Sequence, residues 1–141
     1  MKDTISLVGE IEVLLNNQVV LEKKNLIVQV GKNFLASAVI NNSTSPFVAM
    51  AIGTGTDAAS LSDTTLQIES VRAAFTTSSV STNVVSLSNT YAAGTGTGAV
   101  TEAGLFNNST SGGTMLSRVV FSAINKGAAD TLTINWTVTV G

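Results

Sequence analysis

The sequence predicts an all-β fold, a single-domain, jelly-roll-like β-sandwich of about eight antiparallel strands with one short helix near residues 31–40. Three observations predict it. Apolar and polar residues alternate with period two near both ends of the chain, the mark of half-buried strands. Turn-forming residues recur at the spacing of roughly 8–12 positions that a sandwich requires. No linker or shift of composition divides the 141 residues, a length that suits one domain with a genuine core.

Ile5, Leu7, Gly9, Ile11, Val13 and Leu15 occupy every second position, with Ser6, Glu10 and Glu12 between them. Asn16-Asn17 is a turn signal, and Val19-Val20-Leu21 resumes extended sequence, so these two runs form a hairpin. Asn25 to Val30 reads as a third strand. Phe34, Leu35, Ala38 and Val39 then recur at helical spacing, and Pro46 forbids continuation beyond the loop at 41–46. Phe47 to Ile52 reads as a buried strand, 57–65 as a surface loop, and Leu66 to Val71 as either a helical turn or a strand. Arg72 to Val80 and Val84 to Tyr91 form a second hairpin across Ser81-Thr82-Asn83. After the glycine-rich stretch 92–98 come strands at Val100 to Phe106 and Met115 to Phe121, with loops at 107–113 and 122–130. The last strand is the cleanest: Leu132, Ile134, Trp136, Val138 and Val140 lie on one face, and four threonines and Asn135 lie between them or just before them on the other. β-Branched residues suit such a pleated, half-exposed surface.

Composition excludes several functions. Only 11% of residues are charged, against about 25% in an ordinary domain. One residue in three is Thr, Ser or Asn. Such short neutral side chains lose little entropy and little hydration when a neighbour covers them. Seven basic residues and a net charge of −2 do not make a phosphate-neutralising face, so nucleic acid is not an expected partner. No run approaches the roughly 20 apolar residues of a membrane helix, and Met1-Lys2-Asp3-Thr4 leads into alternating sequence without a signal-peptide core. A soluble protein made in a cytoplasm is expected. With no Cys and no His, disulfides and the usual zinc ligands are absent, and no cofactor or metal is expected.

Gly53-Thr54-Gly55 and Gly94 to Gly98 match neither a Walker A nor a dinucleotide loop, and read as turns or bulges needing positive φ. Nine carboxylates include no calcium-loop spacing. Glu69 and Glu102 form the one conceivable glycosidase pair. Against it, Glu69, Arg72, Glu102 and Arg118 each lie in or beside apolar sequence, where a charge needs a partner, so all four are expected in structural ion pairs. A nucleophilic Ser has no His to activate it, and Ser-x-x-Lys does not occur. Glycosylation sequons at Asn41, Asn42, Asn107, Asn108 and Asn135 carry no weight without secretion. Trp136 is expected in the core, and no catalytic constellation emerges.

Four strings, taken in order, resemble a family of small tailed-phage virion proteins: residues 48–56 (VAMAIGTGT), 101–106 (TEAGLF), 115–121 (MLSRVVF) and 125–136 (NKGAADTLTINW). The second is also similar to a segment of tail-collar fibre proteins. The resemblance implies a virion component without enzymatic activity. Capsid cement (decoration) proteins of this kind sit over seams between capsomers, which would make the major capsid protein and copies of the chain itself, as dimer or trimer, its partners. The alternative is a tail, collar or fibre subunit, and a glycan-binding or glycan-hydrolysing module is the remote one. The chain lacks a fibre shaft, which favours the head surface of a virion assembled in the host cytoplasm. Residues 1–15 are expected to be an edge strand or arm that meets a neighbour, with Ile5, Leu7, Ile11 and Val13 as contact residues.

Overall fold

A computed structural model describes residues 4–41 and 45–141. Its elements are β1 (Leu7–Leu15), β2 (Gln18–Lys24), β3 (Leu26–Ile27), α1 (Gln29–Ala38), β4 (Ala49–Gly53), β5 (Glu69–Ala74), β6 (Thr77–Ser81), β7 (Val84–Tyr91), β8 (Gly98–Phe106), β9 (Met115–Lys126) and β10 (Leu132–Val140). They form two antiparallel five-stranded sheets, β2-β1-β10-β7-β6 (sheet I) and β3-β9-β8-β4-β5 (sheet II), packed as a β-sandwich.

Alternation dictates which side chains meet. From sheet I, Ile11, Val13, Leu87, Tyr91, Leu132, Ile134 and Trp136 point inward; Met50, Ile52, Val100, Ala103, Leu105 and Val119 meet them from sheet II. Trp136 sits at the centre, paired in register with Ile11 on one side and Leu87 on the other. Tyr91 reaches across the core and donates its hydroxyl to the Met50 carbonyl at 2.8 Å, which ties the two sheets together. Burial pushes the Tyr91 phenol well above its ordinary pKa, against the opposing effect of its hydrogen bond with Asn89.

Sheet II has a second apolar cluster, distinct from this core: Val28, Ala51, Leu66, Phe106 and Met115. Ala51 alternates with the inward-pointing Met50 and Ile52, so this cluster lies on the outer face of the sheet. The segment expected to be a surface loop, 57–65, leads into Leu66, which is part of that cluster.

Among the described residues ten strands form where about eight were expected, and the differences have physical causes. The run Arg72 to Val80 divides into β5 and β6, which belong to different sheets. The chain changes sheets at Phe75-Thr76, where Phe75 N–H donates to Val48 O of the β4 side and Thr76 N–H donates to Ser88 O of β7. The third strand shrinks to Leu26–Ile27 because the helix begins at Gln29, two residues early; Gly31 there lies against the backbone of Leu116 in β9. Phe34 and Phe47 meet edge-to-face at 4.8 Å and secure the helix to the sandwich. β9 continues to Lys126, through residues expected to be loop. The loop at 41–46 lies partly outside the described residues, as do residues 1–3 of the expected arm and the sequon at Asn42.

Segment 1–15 is where the expectation is corrected. β1 is not an edge strand: it pairs with β2 on one side and with β10 over nine consecutive positions on the other. Ile11 and Val13 are buried in the chain's own core, so they cannot meet a neighbour, and Leu7 packs against that core. Of the four contact candidates only Ile5, at 80% exposure, lies open.

Candidate functional site: a buried ionic cluster and an open sheet edge

Glu102 projects from the middle of β8 and has no exposed surface. Its Oε1 accepts from the N–H groups of Gly55 (3.0 Å) and Ile68 (2.8 Å), and its Oε2 from Gln67 N–H (3.0 Å) and Arg118 Nε (3.0 Å). Arg118, on the adjacent strand and 2% exposed, also bridges Glu102 through Nη2 at 2.9 Å and Asp63 through Nη1 at 2.8 Å. Its Nη2 donates to the Asp57 carbonyl as well. Burial alone would lower the Arg118 pKa, but hydrogen bonds and charge from Asp63 and Glu102 outweigh it and hold the guanidinium above its ordinary value. The cluster fastens the 54–68 segment onto sheet II at both ends.

Local sequence makes room for it. A Cβ on Gly53 or Gly55 would come within 2.7 or 2.5 Å of Glu102 Oε1. Neither glycine has positive φ, so both are there for close approach; the turn reading holds instead for Gly94, Gly96 and Gly98.

Glu69 and Arg72 form the second pair, with contacts of 3.0 and 2.8 Å. The Arg72 guanidinium lies 3.7 Å from the centroid of the Phe106 ring and donates to the Asn108 and Gly112 carbonyls, tying down the 107–113 loop. Glu69 and Glu102 flank Gly53 on either side in the register of sheet II, each held by a different arginine. The sequence did not reveal Asp63, or the backbone N–H groups that converge on Glu102. Its one signal was a carboxylate inside an apolar string. Among the described residues no group of three or more acidic side chains could hold a metal ion, and no helix is long and apolar enough to cross a membrane.

The outer face of sheet I is a different kind of surface. Glu12, Asn135, Ser88 and Thr77 are joined by strand register into one row, and Glu10, Thr137, Ser86 and Ser79 into the next. Asn135 donates to Glu12 and accepts from Ser88, and Thr90 and Thr133 share a hydrogen bond. The two edges of this sheet differ. β2 carries Glu22, Lys23 and Lys24, and Lys23, opposite the buried Ile11, turns its ammonium to the Val120 carbonyl of sheet II. Charges of this kind on an edge discourage added strands. β6 is Thr-Ser-Ser-Val-Ser, exposed at every position and without a charge. Its Val80 is the last member of the inward-facing row Gly9, Val138, Val85, Val80, and stands 70% exposed.

Comparison with protein-family profiles, curated proteins and solved structures returned no match to this chain.

Proposed function

We propose that the chain is a non-enzymatic structural protein of a tailed-phage particle, a capsid cement protein that docks on the major capsid protein and on copies of itself. The carrying observation is the division of its polar groups. Glu102 and Arg118 are paired inside the fold and Glu69 is held by Arg72 at its surface, while an uncharged edge strand and a hydroxyl-rich sheet face stay open. A surface of this kind gains affinity from buried area and backbone pairing, repeated over many copies. A glycan-hydrolase reading has little support. Glu102 has no exposed surface, and both carboxylates are already bound to arginine.

The strings that resemble virion proteins lie mainly in core strands, and Val100 to Phe106 is buried throughout. They therefore speak to a shared way of packing a sandwich more than to a shared contact surface. The Thr101–Phe106 string also supports the tail-collar reading, and one experiment separates the two. Immunogold labelling or subtomogram averaging of the intact particle is expected to place the protein at regular sites over the head. Signal confined to the tail would replace cement with a tail or collar role, and no signal on the particle would reject both.

A further inference from the structure

We infer that β6 is a self-docking edge: two copies of the chain pair antiparallel through Thr77–Ser81 and join their five-stranded sheets into one of ten. The inference takes from the proposed function only that a copy of the chain is a partner, and it names the element that meets it.

Three observations carry it. First, every residue of β6 is exposed, and among the described residues its outer side presents backbone groups to no other strand. An unguarded edge of this kind is a template for a further strand, and natural proteins ordinarily block it with Lys, Pro or a bulge. The opposite edge of the same sheet has such guards in Lys23 and Lys24; β6 has none. Second, Val80 leaves an apolar row of the inner face unfinished at the sheet border. A second β6 lays its Ser78 beside Val80 and covers the side chain. Third, the strand is electrostatically self-compatible. Antiparallel pairing about Ser79 sets Thr77 opposite Ser81 and Ser78 opposite Val80, so no like charges meet across the two-fold axis. A partner of strong charge would find nothing on β6 to pair with, whereas a second β6 matches it position for position.

Five residues make a short interface, so the free dimer is weak, and multiple contacts on an assembled particle would strengthen it.

The test is sedimentation-velocity and native mass spectrometry of the full chain over roughly 1–500 μM, alongside V80K and a second variant, S79K. Wild type is expected to shift with concentration to twice the 14.4 kDa protomer mass. Each variant is expected to raise the dissociation constant by about tenfold or more, with an unchanged circular dichroism spectrum and melting temperature, because both positions are exposed. A mixture of S78K and V80E, whose new charges face each other across the proposed pairing, is expected to form a heterodimer more readily than either forms a homodimer. A wild-type chain that stays monomeric throughout, or a dimer that survives both lysines, overturns the inference. Neither result touches the particle assignment, which is read separately by labelling; a β6 dimer found without particle labelling would leave this inference standing and reject the proposed function.

Discussion

The substitution Glu102→Gln isolates the contribution of the buried carboxylate. It preserves the shape of the side chain but removes the charge and turns one acceptor oxygen into a donor. Three backbone N–H groups and two arginine nitrogens converge on the native carboxylate. If the amide oxygen takes the place of Oε1, it still serves Gly55 and Ile68, but its NH2 then opposes Gln67 N–H and Arg118. If the amide is flipped, Gly55 and Ile68 lose their acceptor instead. At least two buried donors are stranded in either case, at about 1–3 kcal/mol each. Breaking a buried pair by neutralising one partner costs about 3–5 kcal/mol. Asp63 continues to hold Arg118 from the other side, which places the expected loss at the lower end, about 3 kcal/mol. For a chain of this length that lowers the melting temperature by about 10 °C. Urea denaturation and calorimetry measure it, and limited proteolysis is expected to cut first within 54–68, the segment that the carboxylate fastens. The double variant E102L/R118M leaves the Gly55, Gln67 and Ile68 N–H groups without an acceptor and Asp63 without its arginine, so it stays destabilised, but its loss is expected to fall short of the sum of E102L and R118M, because the ion pair is lost only once. A loss in E102Q below about 1 kcal/mol, or additive losses in the double variant, would refute the reasoning.

Three further outcomes are expected. Ala is ordinarily better than Gly within a helix by about 1 kcal/mol, but G31A is expected to destabilise by about 1–3 kcal/mol, because its Cβ would lie 2.4 Å from the Leu116 carbonyl oxygen of β9; a stabilised G31A in urea melts would contradict the packing described. Thr82, a β-branched residue at φ 56 in the β6–β7 turn, is strained; T82G is expected to gain about 1 kcal/mol in the same assay, and a loss would show the strain to be absent. The Asp130 carboxyl titrates below its ordinary 3.8, because the Asn16 amide and Gly127 N–H donate to the ionised form. A lowered folded pKa means stabilisation that is present above the unfolded value and lost as pH falls through the folded one. D130N is therefore expected to flatten the decline of stability below about pH 4, and an unchanged acid limb in pH-dependent urea midpoints would count against it.

The parts of the fold governed by local alternation were legible in the sequence. β10 and the β1–β2 hairpin follow from period-two patterns and from Asn16-Asn17, whose φ values of 50 and 67 suit a tight hairpin turn. What alternation cannot carry is lateral position. It marks one face of β1 as buried, but whether β1 lies at an edge depends on β10, which arrives from the far end of the sequence. For the same reason Arg72 to Val80 read as one strand: the crossing at Phe75-Thr76 uses no Gly or Pro, so no breaker announces it. That crossing creates β6, and with it the open edge. The need for partners at Glu102 and Arg118 was readable from charges in apolar strings. That the partners would include Asp63 and three N–H groups of a covering segment was not, because they come from 34 to 55 residues away.

The ladder between β1 and β10 also has a consequence for how the protein comes into being. Leu7 pairs with Val140 and Leu15 with Leu132, so the middle of sheet I joins segments that lie far apart in the sequence. Until residues 132–140 have been made, the β1–β2 hairpin must wait with Ile11 and Val13 uncovered and one flank unpaired. Such distant pairing slows folding and leaves nascent chains prone to associate wrongly. A product cut short before residue 132 would lose Trp136 and the strand that bridges β1 to β7, leaving sheet I in two separate hairpins. β10 thus acts as the closing element of sheet I, which is whole only once residues 132–140 have been made.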